Sequence, residues 1–294
     1  MKNWHNSLSK FYWSFLDKTY RWWPDSLWLK IAYKAKHGRK LDLKNPKAYT
    51  EKLQWLKIHD HNPLYPTLVD KYAVKEYVSK KIGNQYVFPC LGVWSSFDEI
   101  DFSILPNQFV LKCTHDSGGI VICKDKQTFD KDAARCQIEK ALKLEFWRWS
   151  REWAYKDVPP RVLAEKYMVD ESGEELKDYK FFCFNGEPHY IEVDFDRYTD
   201  HHRNIYDVNW NLLDCELKYP SDRNRIIPCP QNIDEMLAIA RTLSEGFPHV
   251  RIDLYNISGR AYFGEFTFYH GGGWEEFIPL KWDYTFGNCM RLPI

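Results

Sequence analysis

The sequence lacks the cysteine patterns of disulfide-rich or zinc-binding proteins. Its eight cysteines are scattered, and none stands in a Cys-x-x-Cys pair or in the Cys/His spacing of a zinc site. We therefore expect reduced thiols and a cytoplasmic location. The chain also has no apolar core near its start that suits a signal peptide, and no later run approaches the ~20 apolar residues of a membrane span. We expect neither secretion nor a transmembrane segment.

An excess of charge of either sign is absent too. Lysine plus arginine and aspartate plus glutamate each number 41, so the formal net charge is zero and nothing recommends a nucleic acid as the main partner. We find no Walker A pattern, no internal repeat and no low-complexity linker. The 294 residues, 44% hydrophobic and 28% charged, suffice for a sizeable core. Any charge-driven function must therefore be local.

The first ~45 residues are rich in aromatic and basic side chains, and their spacing favours two short amphipathic helices split near Pro24. Two interpretations stay open. In the first, the aromatic rings pack on the main body. In the second, residues 1–40 contact the inner face of a membrane, where cations meet anionic lipid and tryptophans anchor. The tryptophans that would insert are Trp4, Trp13, Trp22 and Trp23.

The remaining chain predicts helices first and then mostly strands. One helix should begin near Pro46 and another near Asp70, the latter ending at Gly83. Short β-rich runs follow, joined by turns too brief for crossover helices, which favours an α+β fold over a doubly wound parallel sheet. We predict strands at 86–90, 109–113, 120–124, 161–166, 179–184, 189–194, 203–207, 249–255 and 261–268, and further helices at ~129–149 and ~232–245.

Three segments carry polar residues suited to chemistry. In the first, a strand delivers Lys112 to a loop, Ser117, Gly118 and Gly119, whose N–H groups can point at phosphate oxygens. An ordinary glycine hairpin with a surface lysine is the other interpretation. The second segment is a strand over 161–168, whose backbone could receive an adenine ring or could be only a strand.

The third segment is a hairpin over 250–268. Period-2 geometry places Arg251 and Asp253 on one face, and likewise Glu265 and Thr267. A three-residue loop ending at Gly259 would oppose Arg251 to Glu265, so that all four groups share a face. Two converging carboxylates are how proteins hold Mg²⁺. The alternative is a solvated face with an Arg–Glu pair.

In this order, these segments resemble the ATP-grasp superfamily. More specifically, they resemble the TupA-like ATP-grasp family, which is associated with bacterial surface polysaccharide and teichuronopeptide biosynthesis, and the likeness spans nearly the whole chain after the first ~40 residues. The runs that carry it are Asn45 to Lys57, Asp70 to Val74, Lys112 with its Ser-Gly-Gly hairpin, Glu165-Lys166-Tyr167-Met168, Asp178 to Gly186, and Arg251-x-Asp253 with Glu265-x-Thr267.

The resemblance implies a role for each matching position. Asp253, Glu265 and Thr267 would bind Mg²⁺, although Thr267 stands where the superfamily usually has asparagine, a stronger ligand. Arg251 would neutralise charge that develops during the reaction. The nucleotide-binding set would be Lys112 and 117–119 at the phosphates, Lys180 as a second phosphate contact, Glu165, Lys166, Tyr167 and Met168 at adenine, and Asp178 at the ribose.

The implied activity is that of an ATP- and Mg²⁺-dependent ligase that joins a carboxylate to an amine through an acyl phosphate. The turn 269–274 would form the acceptor pocket or is a turn without a ligand. The implied domains are a helical extension 1–45, an α/β subdomain 46–107, a small lobe 108–165 and a large lobe 166–294. Two other classes stay open: a glycosyltransferase using an Asp-x-Asp metal site at Asp194 and Asp196, and a non-enzymatic nucleotide-binding protein.

Overall fold

The computed structural model describes residues 19–116, 118–169, 176–196 and 199–293. Trp4, Trp13 and Ser117, which the sequence analysis singled out, lie outside this part of the chain. The described residues mix helices with antiparallel sheets, so the α+β prediction is confirmed. The helices are α1 Asp25–His37, α2 Tyr49–His59, α3 Tyr65–Val69, α4 Ala73–Ile82, α5 Lys131–Leu142, α6 Phe146–Ser150, α7 Ile233–Ser244 and α8 Lys281–Cys289.

The strands form two main sheets and one short pair. A four-stranded sheet has the order β1-β4-β2-β3, and a five-stranded sheet has the order β10-β9-β5-β6-β7, all antiparallel. The strands are β1 Cys90–Trp94, β2 Phe109–Cys113, β3 Ile120–Cys123, β4 Val162–Lys166, β5 Asp178–Phe184, β6 Glu187–Phe195, β7 His202–Asp207, β8 Glu216–Leu217, β9 His249–Ile257, β10 Arg260–Thr267 and β11 Phe277–Ile278.

Helix α2 begins three residues after Pro46, later than predicted. The Glu51 carboxylate accepts the N–H groups of Lys47 and Ala48 at 3.0 and 3.1 Å, and Asp283 accepts that of Thr50 at 2.9 Å. These bonds satisfy N–H groups at the helix start, which have no partner within the helix. Side-chain capping therefore sets the first turn.

Two other predicted boundaries are wrong. The strand expected at 86–90 is displaced to Cys90–Trp94, because Pro89 has no N–H to give to a sheet and pairing with β4 starts only at Cys90. The single helix expected at ~129–149 is two helices, α5 and α6. Asp130 caps the first by accepting the N–H of Ala133 at 2.9 Å.

The four-stranded sheet and α5 enclose a core of their own, which includes Phe109, Leu111 and Ile138. Strand β1, at residues 90–94, belongs to this sheet although it precedes residue 108 in the chain. The larger core contains side chains of α2 and α3 together with those of the five-stranded sheet, for example Tyr49 against Phe182. The two sheets therefore have separate apolar cores.

One face of the five-stranded sheet is apolar, and the other carries charged side chains beside Phe182 and Phe184, which pack against Tyr49 of α2. Helix α7 covers the apolar face with Met236, Ile239 and Leu243. On the charged face, the strand register aligns Lys180 with Asp253 and with Glu192, and Asp194 with Arg203. Side chains of one parity from several strands therefore collect on a single surface.

The amino-terminal helix α1 packs through Trp28 and Tyr33, both buried, onto the body of the protein. Trp23 is half-buried and donates its indole N–H to Thr19 at 2.9 Å, whereas Trp22 is 87% exposed. Packing thus accounts for part of this aromatic segment. Within the ranges that the structure describes, no helix has the length and apolar character needed to cross a bilayer.

Candidate active site

The β9–β10 hairpin turns through two residues and not the three that we predicted. Ser258 and Gly259 have φ values of 51° and 79°, the left-handed pair that suits a tight two-residue hairpin, and Ile257 pairs with Arg260. Continued regularly, this register would place Gly264 opposite Asp253 and turn Glu265 to the apolar face. The turn alone would therefore separate the two carboxylates.

A bulge at Gly264 reverses that outcome. The register shifts between Phe263 and Glu265, after which Glu265 pairs with Asp253 and Thr267 with Arg251. A Cβ on Gly264 would lie 3.0 Å from the Asp253 carbonyl oxygen, so glycine suits this close approach. The bulge thus puts both carboxylates, the hydroxyl and the guanidinium on one face.

Arg251 is the centre of this face. Its Nε and Nη2 donate to both oxygens of Asp253 at 2.6 Å, and Nη2 also lies 3.1 Å from Glu265 and 3.0 Å from Thr267. Its Nη1 donates to Nδ1 of His270 at 2.5 Å. Because a guanidinium can only donate, Nδ1 of His270 must accept this bond. The proton of the imidazole therefore lies on Nε2, which donates to Glu275 at 2.9 Å. Arg251 therefore fixes four side chains around it.

The two carboxylates differ in their protonation and exposure. Burial raises the pKa of Asp253 to about 7, and the charge of Glu265 adds to the effect while Arg251 opposes it. Burial also opposes ionisation of Glu265, but Arg251 and Lys71 lower its pKa. The Glu265 side chain keeps 46% of its surface accessible, against 6% for Asp253. Glu265 is thus the ionised carboxylate that a ligand can reach.

Lys180 lies on the same face, but its ammonium group is directed elsewhere. Its Nζ contacts Glu192 at 3.0 Å and also pairs with Asp194. Arg203 holds the same two acids, through Nη2 to Glu192 at 3.0 Å and Nε to Asp194 at 2.7 Å. The predicted phosphate contact through Lys180 therefore has no geometric support in this arrangement.

Lys112, the predicted phosphate lysine, faces Glu165 at 2.6 Å. Lys75 of α4 binds the same carboxylate. Burial alone would raise the pKa of Glu165, yet the two lysines lower it to about 2. Glu165, which we expected at adenine, therefore holds two cations together in this structure.

The predicted phosphate loop is held by Asp116. Its carboxylate accepts the N–H of Gly119 at 2.9 Å, and the Lys71 ammonium group binds the Asp116 carbonyl oxygen. Gly118 is exposed, and a Cβ there would meet nothing within 4 Å. An incoming phosphate would therefore compete with Asp116 for the N–H of Gly119.

Two connected cavities lie between the sheets. The first, of about 760 Å³, is lined by Lys166 and Met168, two of the predicted adenine-binding residues, and by Phe88 stacked on Tyr262 at 4.9 Å. The second, the narrow cavity of about 90 Å³, is lined by the lysine cluster Lys71, Lys75 and Lys112 together with Glu165 and Glu265. Lys75 and Phe88 line both. Tyr167 and Asp178, the remaining nucleotide-binding predictions, are half-buried and buried, respectively.

A third cavity, of about 780 Å³, opens on the other side of Glu265. We term it the aromatic cavity because Phe146, Trp149, Tyr155, Tyr219, Tyr269 and Trp274 line it. Arg251, Glu265 and Thr267 form its inner end. Glu265 therefore lies where the narrow cavity and the aromatic cavity meet.

The glycine turn His270–Gly273 forms part of the wall of the aromatic cavity. Gly271, Gly272 and Gly273 all have positive φ, at 52°, 63° and 71°. Lys57 donates to the Gly272 carbonyl at 2.8 Å and Gln54 to that of Gly273 at 3.2 Å. The turn is thus fixed from behind by α2, through carbonyls that point away from the cavity.

Sequence reasoning missed Lys71 and Lys75 because both precede the first predicted strand and reach the site only through tertiary packing of α4. A signal was present in Asp70-Lys71-Tyr72-Ala73-Val74, which we noted without assigning a role. Lys57, which holds the glycine turn, was missed because its partners are distant in the sequence. Among the residues that the structure describes, no three histidine, cysteine or acidic side chains form a metal cluster, so the pair Asp253 and Glu265 stands without a third such ligand.

The fold is that of the ATP-grasp class. The chain belongs to the TupA-like ATP-grasp family, whose sequence model matches residues 51–291. The predicted family and fold are thereby confirmed. Among curated proteins, none matches the sequence.

Solved structures with similar folds include D-alanine–D-alanine ligase from Bacillus anthracis complexed with ATP, which is 16% identical in sequence and has a TM-score of 0.39. The match covers 68% of this chain and 53% of the ligase chain. The ligase from Helicobacter pylori is 12% identical with a TM-score of 0.41, covering 77% and 59%. The biotin carboxylase domain of 2-oxoglutarate carboxylase from Hydrogenobacter thermophilus, with bound MgADP, is 14% identical with a TM-score of 0.41, covering 78% and 47%. The chain thus spans about half to three fifths of the length of these proteins.

Proposed function

We propose that the protein is an ATP-dependent ligase that activates a carboxylate as an acyl phosphate and joins it to an amine. One observation carries the proposal. Glu265 lies at the junction of the lysine-lined narrow cavity and the aromatic cavity, with Arg251 beside it. A nucleotide on one side and an acceptor on the other would meet at this point.

The residues present fit Mg²⁺. Asp253 and Glu265 stand opposite each other on adjacent strands, and burial favours a proton on Asp253 that a cation would replace. Mg²⁺ commonly takes one or two carboxylates and completes its shell with phosphates and waters. Asp253 and Glu265 would hold the ion, with the Thr267 hydroxyl as a weaker third ligand. Once bound, Mg²⁺ would neutralise charge on the nucleotide phosphates.

The lysine cluster would position the nucleotide. Lys71, Lys75 and Lys112 converge on the narrow cavity, and phosphates entering it would replace the Glu165 carboxylate and the Asp116 carbonyl oxygen as partners of these lysines. Lys166 and Met168 line the adjoining cavity, where the adenine ring would lie. Phosphoryl transfer needs little beyond positioning and charge neutralisation, so no serine or cysteine nucleophile is required.

Arg251 would act at the reacting centre. The carboxylate oxygen of the substrate attacks the γ-phosphorus, the bond to ADP breaks, and an acyl phosphate forms. Bound bidentately to Asp253 and held by His270, the guanidinium is preorganised beside the place where negative charge develops. Arg251 is only 8% exposed, and the low polarity of its surroundings strengthens this interaction relative to water.

The finer assignment concerns the substrates. By family association, the carboxylate or the amine would belong to an amino acid and its partner to a uronic or amino sugar, in bacterial surface polysaccharide biosynthesis. The walls of the aromatic cavity support a ring-shaped or amine-bearing acceptor.

The glycosyltransferase alternative is not supported by geometry. Asp194 is buried in ion pairs with Lys180 and Arg203, whereas Asp196 pairs with Arg225 at the surface. The two carboxylates therefore face different cations and do not converge on a metal position.

A thermal-shift panel tests the proposal, with Mg·ATP compared against Mn·UDP-sugars in wild type and in Asp253→Asn. We expect Mg·ATP alone to stabilise the wild type, because only binding to the folded state raises the melting temperature. Asp253→Asn should remove ATP turnover with candidate substrates while leaving the protein folded. Stabilisation by the UDP-sugars, or turnover by the variant at the wild-type rate, would contradict the assignment.

A further inference from the structure

The aromatic cavity contains a carboxylate without an assigned role. Glu152 lies in the short link after α6, is 7% exposed and lines the cavity wall. Across the ranges that the structure describes, no hydrogen bond or ion pair reaches its carboxylate oxygens. The Glu152 backbone N–H instead bonds to Ser150 at 3.2 Å. The carboxylate is thus open to a ligand or to water in the cavity.

The nearest cations have other partners. Lys57 is buried behind the glycine turn, and its ammonium group donates to the carbonyls of Ser150 and Gly272 at 3.0 and 2.8 Å. Arg151 pairs with Asp25 at 3.1 Å. Lys57 thus acts on Glu152 through its charge, while its hydrogen bonds go to carbonyl oxygens and leave the Glu152 carboxylate oxygens to the cavity.

Two other acids of the cavity are already neutralised by cations. Glu275 binds Arg203 at 3.0 Å and Lys218 at 3.1 Å, and Glu276 faces Lys36 at 3.7 Å. Glu152 differs from these two in its burial and in having no such pair among the described residues. The Trp149 ring in the same cavity also favours a cation, whereas the Trp274 ring already faces the Lys57 ammonium group at 4.9 Å.

We propose that Glu152 binds the ammonium group of the amine substrate and accepts its proton. The proposal rests on the proposed function. Glu152 takes one proton from the ammonium, which leaves a nitrogen lone pair. That lone pair attacks the acyl-phosphate carbonyl carbon, a C–N bond forms, and the C–O bond to phosphate breaks. The phosphate leaves with the electron pair and takes the second proton from nitrogen, which gives the amide and hydrogen phosphate.

The position of Glu152 fits this step. Its cavity ends at Arg251 and Glu265, beside which the acyl phosphate would form, so a bound amine lies in the same space as its electrophile. Burial raises the pKa of Glu152 to about 7, and the charge of Lys57 opposes this shift. A base with such a pKa both ionises and accepts a proton near neutral pH.

Calorimetry with matched probes tests the proposal without knowledge of the substrates. In the presence of Mg·ADP, D-glucosamine, ethanolamine and L-alanine are titrated into wild type, each against its N-acetyl derivative. We expect at least one amine to bind and its acetylated form not to bind. Glu152→Gln should weaken that amine roughly 10- to 100-fold, the size of one charged hydrogen bond.

Glu152→Asp guards against a folding defect, because it keeps a negative charge near Lys57 while withdrawing the carboxylate from the cavity. We expect it to fold and to bind the amine with intermediate affinity. Glu187→Gln, which removes an exposed carboxylate paired with Arg241, should match the wild type.

Two results would overturn the proposal: no amine binds the wild type, or Glu152→Gln binds amine and N-acetyl forms as the wild type does. The Mg·ADP affinity of the same proteins is a separate readout. If the wild type does not bind Mg·ADP, the proposed function is refuted. If Glu152→Gln binds both Mg·ADP and the amine as the wild type does, only the role of Glu152 is refuted.

Discussion

Replacing Arg251 by lysine should remove catalysis while leaving nucleotide binding largely intact. Lysine keeps the positive charge but has one nitrogen in place of the planar fork that grips both oxygens of Asp253 and also reaches Glu265, Thr267 and His270. At least two buried, charge-assisted hydrogen bonds should be lost. At ~1.5–3 kcal/mol each, the free energy of unfolding should fall by ~3–6 kcal/mol.

The lower end of that range is the expected value, because Asp253 has a pKa raised to about 7 and can relieve its lost partner by taking up a proton. Turnover should fall by ~10²-fold or more, as for the loss of one well-placed electrostatic donor. The Mg·ATP dissociation constant should change little, since Arg251 faces the aromatic cavity and the lysine cluster remains.

Steady-state ADP release, calorimetric Mg·ATP binding and urea denaturation measure these three quantities. Arg241→Lys is the matched control, because Arg241 makes only an exposed pair with Glu187 and should show no change in any of them. A folded Arg251→Lys protein with the wild-type kcat would mean that Arg251 is scaffold and that the reacting centre lies elsewhere.

Two further predictions follow from other parts of the structure. Lys75→Met should weaken Mg·ATP binding ~10-fold by calorimetry, whereas Lys81→Met on the same helix, which removes an ammonium group 3.7 Å from Glu245 at the surface, should not; equal affinities in the two variants would remove Lys75 from the site. His249 is buried, and burial lowers its pKa to about 3, so its contribution to stability is complete above about pH 6.5 and is lost as the pH falls, by ~3 kcal/mol at pH 4.5. In urea unfolding, the free energy of unfolding of His249→Gln should fall less steeply with decreasing pH than that of the wild type. An equally steep fall would mean that other groups cause the acid sensitivity.

The sequence allowed a correct prediction of the charged hairpin face but not of its pairing. We assumed a three-residue loop, which offsets the two strands by one residue relative to a two-residue turn. The structure has the shorter turn at Ser258 and Gly259, and the bulge at Gly264 supplies the missing residue. Both arrangements leave Glu265 and Asp253 on the same side, because side-chain direction depends only on parity.

Other parts of the site could not be predicted, because they depend on long-range packing. Nothing local distinguishes Lys75 from the exposed Lys80, yet Lys75 meets Glu165 from a strand ninety positions away in the sequence. Likewise, Lys57 and Glu152 gain their environment only when α2, the link after α6 and the glycine turn come together. Sequence periodicity reports which face a residue occupies and not which distant element lies against that face.

The bulge at Gly264 also makes the hairpin sensitive to odd and even changes in length. One residue inserted between Arg260 and Phe263 would rotate Glu265 and Thr267 to the side covered by α7, which would destroy the site without altering any of its chemical groups. Two inserted residues would preserve it. Deletion of Gly264 itself would also keep Glu265 opposite Asp253, in a straighter ladder. The number of residues between the turn and Glu265, taken together with the presence or absence of the bulge, is therefore a simpler guide to function in relatives and engineered versions of this hairpin than the identities of the residues in between.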